Sequence, residues 1–320
     1  MNSIGTLFRI TIYGESHGES MGVVIDGVKS GLKVNNQDII QLLLRRRPSS
    51  ITETSRIEED DFQITSGVFN GFTTGAPVNV IVRNKKYDST IYEKNQNFWR
   101  SSHIDFVKNK YGSFFDYRGG GPLSGRLTVL YVIAGYFAKI ITKFDVTSEI
   151  IIPDINSLNF KKTLESGDSL GGLIQVKAKT MAFLGEPIFN KVSSTISSLL
   201  FSVGSVKGVY FGESITDYLL TGSKYVDEII NKNGTTKTNR AGGINCGITN
   251  GNDLLVNIMV RPISSFKLKQ YLFDTEKQKQ IYASYEGKHD SFHLPRMQVV
   301  LESMVHIGLA DLFLQKKARD

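Results

Sequence analysis

Two histidines, one carboxylate and several arginines stand where glycine and proline force irregular backbone, and these are the residues able to do chemistry. His17 follows Ser16 between two glycines in Gly14-Glu15-Ser16-His17-Gly18. His103 lies between Arg100 and Asp105, where a carboxylate could orient an imidazole acting as general acid. Two residues apart on a helix would not face each other, so the spacing alone does not settle that pairing. Asp290 closes the polar loop Gly287-Lys288-His289-Asp290. Between these, Asp116-Tyr117-Arg118-Gly119-Gly120-Gly121-Pro122-Leu123-Ser124-Gly125-Arg126 carries three successive glycines and a proline, which neither helix nor ordinary strand accommodates. Backbone amides at such a loop, with Arg118 and Arg126 beside them, suit a phosphate or carboxylate; the same residues also fit a tight turn with two surface arginines.

The elements around these residues can be read from periodicity. After the glycine loop an apolar pattern with helical spacing begins (Leu127, Leu130, Tyr131, Ala134, Phe137, Ala138, Ile141), and Ser124 is placed to cap it. Residues 6–13 read as a strand running into the His17 turn, with 22–25 as its hairpin partner. Asn36 is expected to cap a helix from Gln37, with Ile39, Ile40, Leu42 and Leu43 facing inward and Pro48 ending it. Arg45, Arg46 and Arg47 form its last turn, where cations gain about 0.3–1 kcal/mol from the helix C-terminus. Helical neighbours lie about 100° apart, so the three cannot share one face.

Residues 84–102 read as a long surface loop and 223–238 as a mobile excursion, while 173–179, 206–212 and 254–260 read as strands. Cys246, set among glycines with no histidine next to it, reads as a small filler rather than a nucleophile. Pro295 should start a closing helix that is apolar nearly all round and therefore buried on several sides, with His306 packed inside it. Many strand-turn-strand units among helices indicate a mixed α/β (α+β) sandwich. A doubly wound nucleotide-binding sheet is disfavoured, because no Gly-x-Gly-x-x-Gly follows a strand and no Walker loop is present.

The net charge of +7 suits either a nucleic-acid binder or an enzyme for a strongly anionic small molecule. Basic residues are spread along the chain without a recognition-helix, zinc-finger or aromatic RNA-binding signature, which favours the small molecule. With 320 residues, 40% hydrophobic and 22% charged, the composition is that of an ordinary globular chain of one large domain or two modest ones. The best candidate for a membrane span, residues 127–141, is interrupted by Lys139, and no signal peptide is apparent. The lone Cys246 excludes an internal disulfide and fits a reducing cytoplasm.

Taken together, ten stretches in order resemble the chorismate synthase family. They are Gly14-Glu15-Ser16-His17-Gly18, Arg45-Arg46-Arg47-Pro48, Ser66-Gly67-Val68-Phe69 with Thr73-Thr74-Gly75, and the loop from Asp116 with Ser124-Gly125-Arg126. Gly167-Asp168-Ser169, Leu184-Gly185-Glu186-Pro187, Val206-Lys207-Gly208-Val209, Ala241-Gly242-Gly243-Ile244, Pro262 with Ser264-Ser265, and His289-Asp290 complete the set. The resemblance implies one domain over residues 1–320, with helices layered between two antiparallel sheets, in a cytoplasmic homotetramer. It implies anti 1,4-elimination of phosphate from 5-enolpyruvylshikimate 3-phosphate to give chorismate, in aromatic amino acid biosynthesis, with reduced FMN required and no net redox change. Whether NADPH reduces the flavin is left open.

Residue by residue, the resemblance makes His17 the acid near flavin N1 and His103 the acid serving the departing phosphate. Asp290 becomes the carboxylate that takes a proton at flavin N5, with Ser16 and Ser124 in supporting polar roles. Arg46 and Arg126 would hold substrate anions. Flavin contacts would fall at Pro122, Leu123, Ser124, Gly204, Ser205, Cys246, Arg261, Pro262, Ile263, Ser264, Ser265 and Lys288. This chain departs from the family at several of these: arginine or histidine is common at Pro122, lysine at Arg261, glycine at Cys246, and arginine at Lys288 and Thr52. The chain is also shortened around residues 147–155. Two other classes stay in view. An FMN-dependent oxidoreductase would use the same loops for hydride transfer, and a basic nucleic-acid-binding protein would use the charge alone.

Overall fold

The computed structural model describes the whole chain except residues 49–59, 85–89, 286 and 288–289 and the side chain of Ile91. Thr52 and Lys288 therefore lie outside the described residues. Two antiparallel sheets enclose a layer of helices. The first runs Ser3–Ile4, Arg9–Gly14, Ser20–Asp26, Val78–Arg83, Phe62–Ser66 in spatial order. The second runs Val206–Phe211, Leu254–Val260, Gly172–Lys179, Asp145–Ile152. Alternation turns one face of each sheet inward: Met21, Val23, Ile25, Val78, Val80 and Val82 from the first, and Ile174, Val176, Ala178, Leu254, Val256 and Ile258 from the second, are all completely buried. Each of these valine, isoleucine, leucine and methionine side chains contributes about 1.5–3 kcal/mol relative to staying exposed.

The central helix Thr128–Thr142 and the closing helix Leu294–Lys317 pack against each other between the sheets. Their approach depends on Gly135, where an added Cβ would lie 2.4 Å from the Ser303 Cβ. The closing helix also meets Val192–Phe201 and the strand Asp145–Ile152, which explains its apolar circumference. Both long helices are apolar enough to cross a membrane, the closing one included, yet most of each is buried inside the protein. Asp311, buried in the closing helix, accepts hydrogen bonds from the backbone N–H of Thr6 (3.0 Å), Leu7 (2.7 Å) and Phe8 (2.9 Å). Bonds to a charged acceptor are worth about 1.5–3 kcal/mol each, so this carboxylate pins the strand that leads to His17.

Several local expectations are corrected. The first helix spans Asn36–Arg46 and is capped by Asn35, not Asn36: the Asn35 side chain accepts from Gln37 N–H at 3.0 Å. Only Ile39 and Leu43 of its apolar residues are buried, and Ile40 is exposed. The closing helix starts at Leu294, with Pro295 inside its first turn. Residues 84–102 are not all loop: they include the helix Thr90–Lys94 and the strand Phe98–Arg100, which pairs with Gln270–Asp274. The stretch 223–238 makes defined contacts: Asp227 accepts from Thr238 Oγ1 (2.6 Å) and from the amides of Arg240 and Ala241 (both 2.9 Å). Cys246 is no filler either. It is exposed at the turn of a small hairpin, with φ 52°.

Two buried histidines outside the chemistry shape stability. Burial, with a smaller push from Lys139, lowers His306 to about 3; burial and Arg261 lower His293 to about 4. An unfolded histidine binds its proton near 6.5, so below that pH the unfolded chain takes up more protons than the folded one. Stability should be full above about 6.5 and fall as pH drops towards about 4. His306→Leu should flatten this slope, read from denaturant midpoints at about pH 7 and about pH 5. Identical pH dependence in the variant and the parent would show that His306 contributes nothing to it.

Candidate active site

The glycine loop and the His17 turn form one nested structure. Gly119, Gly120 and Gly121 all have positive φ (58°, 83°, 50°), which lets the chain fold back over the first sheet. Ser16 N–H donates to Gly121 O at 3.4 Å, and Ser16 Oγ donates to Gly119 O at 3.2 Å. His17 is 2% exposed and lies against Gly119, where an added Cβ would sit 2.3 Å from Cδ2 and 2.5 Å from Nε2. Its ring also meets Tyr92 edge-on at 5.1 Å. Arg118 pairs with Asp116 at 2.8 Å. Ser124 does cap, but through a short turn: its Oγ accepts from Arg126 N–H at 3.3 Å at the head of Gly125–Leu127, which leads into the central helix.

His103 precedes the helical turn Ile104–Val107 with extended backbone (φ −111°, ψ 176°). That conformation turns its ring back onto Asp105, with Nδ1 3.1 Å from Oδ1. The helix argument against this pair fails because only one partner is helical. Asp105 also accepts from Arg100 Nε (2.8 Å), Nη2 (3.0 Å) and the Arg100 backbone N–H (3.0 Å). Burial alone would raise the Asp105 carboxyl, but bonds from His103 and Arg100 hold it far below the usual range. An ionised Asp105 places the His103 proton on Nδ1 and leaves Nε2 for exchange. Burial lowers His103, with Arg100 and Arg261 adding to it, and the bond to Asp105 offsets this only in part. A cavity of about 220 Å³ is bounded by His103, Arg100, Tyr285, Gly119, Gly120, Leu123 and Ser124. His17 does not line this space itself, but packs against Gly119 and Tyr92, which do.

Loops from the second half of the chain close on the same cluster. Arg261 Nη2 donates to Ser102 O (3.2 Å) and Nη1 to Pro262 O (2.9 Å), a two-ended link that a lysine could not make in the same way. Arg100 Nη1 donates to Ser265 Oγ at 3.3 Å, and its guanidinium lies 4.1 Å over the Tyr285 ring. Ser205, at φ 74° beside Gly204, accepts from Arg261 N–H at 2.9 Å, and Ile263 O accepts from Ser169 Oγ at 2.7 Å. Ser264 Oγ is buried without a partner among the described residues. Cys246 does not join this group: its hairpin packs beside Lys191 and Val192, at the start of Val192–Phe201.

The arginines part ways as the helix geometry requires. Arg45 makes a bidentate pair with Glu302, 2.7 Å at both oxygens. Arg46 and Arg126 both grip Asp60, whose side chain is 0% exposed. Asp290 pairs with Arg296 of the closing helix. Asp60 and Tyr285 were not singled out from the sequence.

The match to known proteins decides what this arrangement belongs to. A family model described as chorismate synthase matches residues 8–162 and 156–314. The chain belongs to the chorismate synthase family. A chorismate synthase of Chitinophaga pinensis is 40% identical over 321 residues, covering 98% of this chain and 97% of that one. One from Thermococcus gammatolerans is 37% identical over 348 residues, covering 98% of both. A crystal structure of a chorismate synthase superposes with TM-score 0.73 at 22% identity, over 98% of this chain and 93% of the other, so the fold is shared. The strand Asp145–Ile152, which overlaps the stretch 147–155 expected to be shortened, is an edge strand of the second sheet and does not line the cavity.

Proposed function

We infer that this chain is a chorismate synthase, eliminating phosphate from 5-enolpyruvylshikimate 3-phosphate in the shikimate pathway. The observation that carries the mechanism is His103, oriented by Asp105, on the same cavity as Ser124 and the glycine loop. Phosphate leaves C3 with its bonding pair while C6 loses a proton, and the C6–H pair enters the new diene, so the sum needs no external oxidant. His103 protonates the departing phosphate oxygen. Its depressed affinity in the free protein rises when a phosphate dianion arrives, because a nearby negative charge favours imidazolium. Arg46 and Arg126 hold substrate anions through charge-assisted bonds.

Reduced FMN, when bound, supplies an electron that helps expel phosphate and returns at the end of the cycle. The residues present suit it: Ser264 has a buried hydroxyl in want of a partner, and Arg261 and Ser265 join its loop to the His103 cluster. Pro122, Leu123, Ser124, Gly204, Ser205 and residues 261–265 would hold it, with His17 as acid at its N1 edge and Asp290 accepting a proton from N5. Lys288 is the remaining candidate contact; Cys246, whose hairpin lies beside Lys191 and Val192, is not one. We take the chain to act as one domain within a homotetramer, with NADPH as a possible external reductant. An anaerobic assay with chemically reduced FMN and the phosphate ester should yield chorismate and phosphate in equal amounts. Net oxidation or reduction of the substrate without phosphate release would favour a flavin oxidoreductase instead.

A further inference from the structure

Asp60 is a fully buried carboxylate between two arginines from distant parts of the chain. Arg46 ends the first helix, Arg126 sits in the turn before the central helix, and Asp60 lies two residues before the outer strand of the first sheet. Arg46 Nη2 donates to Oδ1 at 2.9 Å and Oδ2 at 2.8 Å, while Arg126 Nη1 donates to Oδ1. The arginine side chains are only 13% and 9% exposed. Two guanidiniums this close and this poorly hydrated repel each other strongly. One carboxylate bridging them offsets much of that repulsion. Asp60 engages one terminal nitrogen of each guanidinium, and Arg46 Nε is buried with no partner among the described residues.

We propose that Asp60 is a positioning residue for substrate binding: its carboxylate locks the Arg46 and Arg126 guanidiniums side by side so that both meet one substrate anion. This rests on the reading that those two arginines hold substrate anions. The alternative is that Asp60 merely occupies an anion site and competes with substrate. The two differ in sign. Removing a competing negative charge tightens anion binding, whereas removing a positioning group weakens it although the site becomes more positive.

The test is the affinity of Asp60→Asn, Arg46→Gln and the double variant for 5-enolpyruvylshikimate 3-phosphate, by calorimetry, with KM, kcat and melting temperature measured alongside. Asp60→Asn should raise Kd and KM by roughly 10–100-fold, the scale of misplacing a binding group by about an ångström. Because Asp60 acts partly through Arg46, the double variant should lose less than the product of the single losses. A Kd equal to or below that of the parent in Asp60→Asn, beside a raised Kd in Arg46→Gln, overturns this inference alone. An unchanged Kd in Arg46→Gln overturns the substrate-anion reading and this inference with it. Should Asp60→Asn fail to fold, Asp60→Glu keeps the charge but moves the carboxylate outward by one methylene. It should still raise Kd, and parental affinity there overturns the proposal.

Discussion

Replacing His103 by alanine lowers turnover by roughly 10²–10⁴-fold, the usual worth of a positioned general acid. The expectation follows from where the ring is held. Asp105 fixes Nδ1 at 3.1 Å, Arg100 fixes Asp105 through three bonds, and Nε2 is left for exchange beside a cavity that Ser124 and the glycine loop also line. The loss is chemical, so flavin spectral changes on adding substrate should persist in the variant. The pH dependence gives a second readout. Burial holds the free His103 below its ordinary 6.5, so its protonated form, and with it kcat/KM, declines as pH rises through a value under 6.5. Bound phosphate dianion raises the affinity for that proton, which moves the corresponding limb of kcat to higher pH. Coincident limbs, or near-parental turnover in His103→Ala, would remove His103 from the catalytic set. His17→Ala is expected to fall in the same range, although the His17 ring is buried and packs so closely on Gly119 that no side chain fits there.

Local chemistry was legible wherever a residue type has no neutral use. Three glycines before a proline have to be irregular backbone, and all three do take positive φ. The alternating strands and the all-apolar closing helix followed from periodicity, and the layered sandwich followed from the family resemblance. What the sequence hid was anything set by contacts between distant segments. Asp60 lies in the acidic run Glu58-Glu59-Asp60-Asp61, which reads as solvated surface, and only the folding of Arg46 and Arg126 around it makes it a buried counter-ion. The strand Phe98–Arg100 is three residues long and gains its identity from a partner strand some 170 residues later, so no window around it could show it. The His103–Asp105 pair was undervalued for the opposite reason: a rule about helices was applied to a residue that only borders one.

Asp290→Asn should stay folded, bind FMN and the phosphate ester, and fail at turnover. Three roles compete for this carboxylate. Capping the closing helix is the first, and the structure disfavours it: the helix begins at Leu294 with His293 at its cap, and no side-chain cap bond forms there. The second is the ion pair with Arg296, whose partners are 14% and 24% exposed on their side chains. The pair is largely sheltered from solvent, so losing it costs more than losing a surface pair, but asparagine keeps an oxygen that still accepts from Arg296, which favours a folded variant. The third is proton acceptance, and here Arg296 would fix the direction in which the carboxylate faces. Asparagine keeps the size and one hydrogen-bonding oxygen but cannot take a proton, so only the third role predicts loss of chemistry with binding intact. Arg296→Gln separates the last two. If Asp290 serves only the pair, both variants should lose similar stability and keep turnover. If Asp290 is the base, Asp290→Asn abolishes turnover outright, and Arg296→Gln retains a reduced rate because the base remains but is less firmly aimed. Chorismate formation at a near-normal rate in Asp290→Asn would end the catalytic assignment and leave Asp290 a structural role.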